Sequence, residues 1–422
     1  MAKKIVVCCD GTGNEVEGNL SNVLKLFRIA RKSAAQRVYY NPGIGTISHR
    51  DAWARFRQDA KAAFGLATGY GIDRDILGAY NFICEHYVAG DAIYLFGFSR
   101  GAYTVRAVAG LVHLLGVLSA DQRNLATYAL TAYKRASEKD DLTIAWNFRR
   151  IVGSRRAPIA FMGVWDTVAS VIVPRADRLF VPSLQTLPYT RRNPSVRVFR
   201  HAIAIDERRR MFRVNHWLQP QDYVSNPFRD KRAPQDIKQV WFAGVHSDIG
   251  GGYPETESGL SKFPLDWMLG EAVAHGLEVN AASRRRIALG IGNKPGRMQY
   301  VAPDAQAAMH QSLTWPWQLL EWLPKAVKWR EMLRDSLNMP ELDMPQPERL
   351  RDKSATSARD AILGMYLPRG EPRSLTLDVA GSGVPSAPCL HRSVLDRMQA
   401  IADYKPVNLP EQFTVEEYSS AP

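Results

Sequence analysis

Residues 93–113 read Ile-Tyr-Leu-Phe-Gly-Phe-Ser-Arg-Gly-Ala-Tyr-Thr-Val-Arg-Ala-Val-Ala-Gly-Leu-Val-His. An apolar strand, a Gly-x-Ser-x-Gly turn centred on Ser99 and a helical run follow one another directly. A turn this tight lifts the serine hydroxyl clear of the sheet, as in a nucleophile elbow. It requires Gly97 and Gly101, because side chains there would collide with the neighbouring strand and the incoming helix. A serine before a helix also serves as an ordinary N-cap. The buried strand Ile93–Phe96 and the lack of a helix breaker before Gly110 favour the nucleophile.

Around this unit, apolar strands alternate with helical stretches through residue 280. That alternation predicts an α/β fold, a mostly parallel sheet with helices on both faces; the Ser99 turn within it resembles the elbow of an α/β-hydrolase-like fold. Expected strands are Lys4–Cys9, Arg37–Tyr40, Pro158–Trp165, Val196–Ile205 and Gln239–Val245; expected helices are Asn22–Arg31, Asp73–Val88, Pro264–Leu277 and His391–Asn408. The alternation fades near residue 284. The predicted organisation is a catalytic domain over 1–283 and a helical, loop-rich extension over 284–422 packed on it as a cap or a membrane-facing part.

With 422 residues, 45% of them hydrophobic, the chain can bury a large core. The cysteines Cys8, Cys9, Cys84 and Cys389 include no C-x-x-C pair, so neither a zinc site nor a disulfide framework is indicated, and no metal or organic cofactor is expected. The first residues read as a strand rather than a signal peptide, and no stretch is long enough to span a membrane. Cytoplasmic synthesis is expected, with export by a signal-independent route left open. Net charge is +13, with arginine clusters at 149–150, 155–156, 208–210 and 284–286. Such a surface suits anionic membranes or polyanions, or simply keeps the protein soluble; no zinc-finger or RRM signature points to nucleic acid. Trp315, Trp317, Trp322 and Trp329 are interleaved with Lys325, Lys328, Arg330 and Arg334, the composition of an interfacial amphipathic helix. The alternative is a cap or lid over the active site, favoured because Pro316 and Pro324 interrupt the helix.

A serine hydroxyl needs a base, and the base a carboxylate. His246 ends an apolar strand and enters the glycine-rich stretch His-Ser-Asp-Ile-Gly-Gly-Gly-Tyr, which makes it the expected base. His391 is its rival but reads as a helix-start residue, and His201, inside a strand, reads as structural. Asp166 and Asp206 both follow strands and compete to orient the imidazole. Asp166 is preferred because arginines 208–210 offer Asp206 an ion pair. Asp248 could brace the histidine loop. Expected oxyanion donors are the Arg100 amide, directly after the nucleophile, and Gly11 and Thr12 in the loop after the first strand. That loop also carries an Asp-Gly-Thr sequence, but Cys8 stands where a phosphatase aspartate nucleophile would be.

Taken together, Cys9–Asn14, Leu95–Arg106, Gly163–Val168, Ala202–Arg208 and Gly244–Tyr253 resemble one family. It is the domain-of-unknown-function group of α/β-hydrolases that includes the type VI secretion phospholipase effectors of the first lipase class. The likeness covers roughly residues 1–275, with a fainter one at Leu390–Pro410. It implies a serine hydrolase acting on glycerophospholipid esters, with Ser99, Asp166 and His246 at the matching positions. A secretion-system or immunity partner is implied with it, while peripheral contact with anionic membrane is the expectation from the basic charge and the tryptophan-rich stretch. A soluble carboxylesterase on small esters and a non-catalytic binding module are the alternatives.

Overall fold

The computed structural model describes residues 2–11, 19–43, 71–138, 142–168, 172–174, 182–184, 187–224, 232–296, 298–322, 325–326, 365–366, 370–375, 377–378 and 385–418. Its centre is an eight-stranded sheet. The strands are β1 (Lys4–Cys9), β2 (Gln36–Asn41), β3 (Ala92–Phe98), β4 (Ile159–Trp165), β5 (Val198–Ala204), β6 (Asp236–Phe242), β7 (Cys389–His391) and β8 (Thr414–Glu416). Their order is β8-β7-β6-β5-β4-β3-β1-β2, and every neighbouring pair is parallel. The chain runs from β1 outward to β2 and then returns to place β3 on the other flank of β1. A sheet that reverses direction in this way opens a crevice at the carboxyl ends of its strands.

Burial on both faces explains why the strands are near-continuous apolar runs. In β1, Ile5, Val7 and Cys9 enter one core while Val6 and Cys8 enter the other, the two-residue period of a strand. The first core lies under α2 (Ile72–His86), α3 (Arg100–Leu115), α4 (Ala126–Glu138) and α5 (Thr143–Val152). The second lies under α1 (Asn22–Ile29), α7 (Gly259–Ala274) and α8 (Ala281–Ile287). The four cysteines are free thiols, and Cys8, Cys9 and Cys84 are buried among apolar neighbours.

Local chemistry accounts for most helix limits. Ser21 caps α1 by accepting the Leu24 amide at 3.0 Å. Asp73 and Asp75 occupy the first turn of α2, complementing its positive end. Helix α7 begins at Gly259, five residues before the expected start, and carries Pro264 inside its second turn. The expected helix His391–Asn408 is shorter, α10 (Arg392–Ala400), with His391 as its N-cap accepting the Ser393 amide. Residues 284–422 therefore do more than extend the chain: they supply β7, β8 and α10 to the main sheet layer. The tryptophan-rich stretch forms a short helix, α9 (Trp315–Glu321), followed by Trp322; Trp329 lies outside the described residues. Among the described residues no helix is long and apolar enough to cross a membrane.

Candidate active site

Every residue singled out around Ser99 lies just past the carboxyl end of a strand: Gly11 after β1, Ser99 after β3, Asp166 after β4, Asp206 after β5 and His246 after β6. Parallel pairing brings these ends to one edge of the sheet.

Ser99 is the N-cap of α3, with φ 55° and ψ −121°. Left-handed backbone at a non-glycine residue is strained, and such strain concentrates at functional turns. The turn is as tight as the sequence demands. A Cβ on Gly101 would sit 2.1 Å from the Cys9 carbonyl oxygen, and one on Gly97 would sit 2.5 Å from the Gly101 carbonyl oxygen. The Arg100 amide occupies the first position of α3, where no intrahelical acceptor exists. The Arg100 side chain is buried, with its Nε and Nη2 unpaired among the described residues and Asp75 the carboxylate that acts on it.

The structure brings His246 and Asp166 together: Nδ1 lies 2.5 Å from Asp166 Oδ2. Asp166, itself at φ 35°, is fully buried. Its Oδ1 accepts the Ala204 amide at 3.0 Å. Arg373 then grips both carboxylate oxygens, Nη1 to Oδ1 at 2.6 Å and Nη2 to Oδ2 at 3.0 Å. The guanidinium is held in turn by the carbonyls of Ala204 and Phe212. Burial alone would raise the Asp166 carboxyl, but Arg373 and His246 outweigh it and hold the group far below the usual carboxylate range. Burial lowers the His246 pKa, against the opposing pull of Asp166.

His246 is not in an open glycine loop, as its sequence suggested. It starts a one-turn helix, α6 (His246–Gly250), after Gly244 at φ 116°. Its ring packs between Phe98, 4.7 Å away and adjacent to Ser99, and Phe212, 4.8 Å away. Its backbone amide donates to Glu207 Oε2 at 3.2 Å. Glu207 is fully buried and also accepts from Arg209 and Ser312, and Arg209 holds it ionised, with its pKa down to about 2 despite burial.

Asp206 points elsewhere. Its Oδ2 accepts the Gly244 amide at 2.7 Å and the Tyr404 hydroxyl at 2.9 Å. The ion pair expected at Asp206 is corrected by the observed partners: Arg209 pairs with Glu207, and it is Asp166 that carries an arginine. An arginine does not disqualify a carboxylate, whose two oxygens offer about four acceptor sites. Asp248 braces the loop through the Val245 amide and His310 Nδ1. His201 Nε2 accepts the Thr167 amide at 3.2 Å inside the core. The Gly11 amide, an expected oxyanion donor, donates to Asp10 Oδ1 at 2.7 Å. Thr12 lies outside the described residues.

Arg373 and Glu207 escaped the sequence reading. Glu207 had a signal, a carboxylate followed by arginines after a strand end. Arg373 had none, because it sits 207 residues from Asp166 in a non-periodic segment. Among the described residues no group of three or more His, Cys, Asp or Glu side chains is arranged to hold a metal ion.

Residues 3–271 match the family described as the type VI secretion system phospholipase effector Tle1-like catalytic domain. The chain belongs to this family. Among curated proteins it is similar to the uncharacterized protein YEL023C of Saccharomyces cerevisiae, 33% identical over 233 residues, which cover 50% of this chain and 32% of the yeast protein. The chain thus spans about a third of that relative's length. Among solved structures, it is similar to an uncharacterized protein from Pseudomonas aeruginosa with a TM-score of 0.37 and 17% identity, covering 90% of this chain and 65% of the other. A second is the Tle1 effector bound to the VgrG spike of the type 6 secretion system, with a TM-score of 0.32 and 20% identity, covering 62% and 53% of the two chains. The Tle1-like match ends at residue 271, so Arg373 lies beyond the matched catalytic domain.

Proposed function

We propose that this Tle1-like chain is a serine hydrolase that cleaves carboxylic ester bonds of glycerophospholipids, with Ser99, His246 and Asp166 as its triad. The observation that carries the reading is the 2.5 Å His246–Asp166 contact beside a serine held in strained backbone on the adjacent strand. In this mechanism Ser99 Oγ attacks the acyl carbonyl carbon as His246 Nε2 takes its proton. Asp166 stabilises the imidazolium through Nδ1–H. The Arg100 amide and the amino-terminal end of α3 stabilise the oxyanion. When the tetrahedral intermediate collapses, the C–O bond to the glycerol breaks and the imidazolium protonates the leaving alcohol. Water, deprotonated by His246, then attacks the acyl-enzyme and releases the fatty acid and free Ser99. Family membership supports the lipid substrate and, because the family is described by type VI secretion effectors, export by such a system.

A fluorophosphonate probe tests the nucleophile. Stoichiometric labelling on Ser99, located by peptide mass spectrometry, is the expected result. Labelling at another serine, or none under conditions where the protein is folded, would overturn the assignment.

Helix α9 supports both readings of the tryptophan-rich stretch. Trp317 packs edge-on against Phe212 at 5.4 Å, and the same Phe212 ring flanks His246, which supports a cap over the site. Trp315 and Leu319 on α9 and Trp322 just after its last residue, spaced four and three residues apart, form an exposed apolar face. We assign that face to the lipid interface, where tryptophan's amphipathic ring is favoured. Trp315→Ala/Trp322→Ala is expected to lower hydrolysis of phospholipid vesicles roughly ten-fold or more, with little change on a soluble ester. Equal losses on both substrates would reduce α9 to a lid.

A further inference from the structure

A cavity of about 1140 Å³ opens at the edge of the sheet opposite the candidate active site, where Pro158 precedes β4 and Ser195 precedes β5. Val112, His113 and Leu114 from the last turn of α3 line it. Ser99 caps the other end of that helix, so a rise of 1.5 Å per residue puts the cavity about 20 Å from the nucleophile. It is therefore not an acyl pocket of the same centre.

The lining divides by chemistry. Arg149, Arg150, Arg156, Arg192 and Arg232 contribute five guanidinium groups, and Asp222 is the one carboxylate among the described lining residues. Val112, Leu114, Leu142 and Trp146 give an apolar wall, with the Trp146 ring largely exposed. His113 also lines the cavity; its Nδ1 is 2.7 Å from Ser195 Oγ and its ring is 4.4 Å from that of Tyr189. Tyr189 is a left-handed non-glycine residue, at φ 60°. Burial first, then Arg156 and Arg149, push the His113 pKa down to about 4, so the imidazole is neutral and the field in the cavity is positive. Placing Arg149 and Arg150 in the last turn of α5 complements the helix dipole. That does not explain Arg192 and Arg232, which reach the same cavity from separate segments.

We propose that this cavity is a second binding site, distinct from the hydrolytic centre, for an amphiphilic phosphate: the arginines take the phosphate and the Trp146 wall takes the attached apolar group. Arginine forks match phosphate oxygens in bidentate geometry. The phosphate could be carried by a lipid headgroup or by a soluble phosphate ester; both present the same chemistry. The inference does not depend on the protein hydrolysing esters.

Octyl phosphate below its micellar concentration is a suitable calorimetric probe because it has no carboxylic ester to cleave. Wild type is expected to bind it saturably, and Arg149→Ala/Arg192→Ala to bind it on the order of 100-fold more weakly. Arg285→Ala, which removes an exposed charge elsewhere, is the control, and thermal melts show that all three proteins are folded. A parallel arm sediments each protein with phosphatidylcholine vesicles with or without phosphatidylglycerol. Loss of anionic-vesicle binding in the double variant along with octyl phosphate binding supports the site with a lipid headgroup as ligand. Unchanged sedimentation with loss of octyl phosphate binding supports it with a soluble phosphate ester. No saturable binding by wild type, or equal binding by all three proteins, overturns the site.

Discussion

Asp166→Asn is expected to lower kcat about 10⁴-fold on any ester the protein hydrolyses, whereas Asp206→Asn costs less than about ten-fold. The two aspartates follow neighbouring strands and are alike in sequence context, but their partners differ. Asp166 faces His246 Nδ1, and an asparagine there would present an amide that cannot hold the imidazole in the productive tautomer. Among the described residues Asp206 accepts from neutral donors, the Gly244 amide and the Tyr404 hydroxyl, and an asparagine oxygen can do the same. Steady-state kinetics on a soluble ester, with circular dichroism to verify folding, separates the two. A larger loss from Asp206→Asn would contradict the assignment.

Arg373→Met is expected to reduce kcat/KM roughly 10- to 100-fold and to destabilise the fold by about 3–5 kcal/mol. The stability loss follows from leaving the buried Asp166 carboxylate without its cation. The kinetic loss follows from position: Arg373 touches no reacting atom in the proposed mechanism, and it acts by fixing the carboxylate that fixes His246. The pH profile distinguishes this from a merely structural role. In the proposed mechanism His246 acts as a base, which it can do only when neutral, and burial lowers its pKa from 6.5. Wild-type kcat/KM should therefore climb through a midpoint below pH 6.5 and level off by neutrality. Removing the guanidinium leaves more of the Asp166 field on the imidazole, raises the histidine pKa and moves the acid limb to higher pH. Arg373→Lys should restore part of the stability, because charge returns without the bidentate grip. An Arg373→Met profile that keeps its acid limb in place while the Tm falls would reduce Arg373 to a structural ion pair.

The parts of the site that local sequence encodes were legible. Strand, tight turn and helix are written into residues 93–113 by apolar run, glycine placement and the lack of a breaker. His246 and Asp166 each end an apolar strand, and a parallel sheet brings strand ends together. Three features resisted. Strands β7 and β8 are three residues each, too short for any periodicity to register. Arg373 pairs across more than two hundred residues from an irregular segment, and no local pattern encodes such a contact. The contact of the Gly11 amide with the adjacent Asp10 carboxylate was not read from the loop, although short polar side chains commonly capture nearby amides. The choice of Asp166 over Asp206 rested on a mistaken premise about the arginines. What distinguishes the two is which carboxylate the packing of β4, β5 and α6 turns toward His246.

The most direct test incubates purified protein and its Ser99→Ala variant with mixed phospholipid vesicles and quantifies released fatty acid by mass spectrometry. Release by wild type, falling by about 10⁴-fold or more in the variant, is the expected result, and the identity of the released chain reveals the position cut. Equal release by both proteins would contradict Ser99 as the nucleophile. Failure to release fatty acid from vesicles, alongside Ser99-dependent cleavage of a short soluble ester, would contradict the phospholipid substrate and leave a soluble esterase.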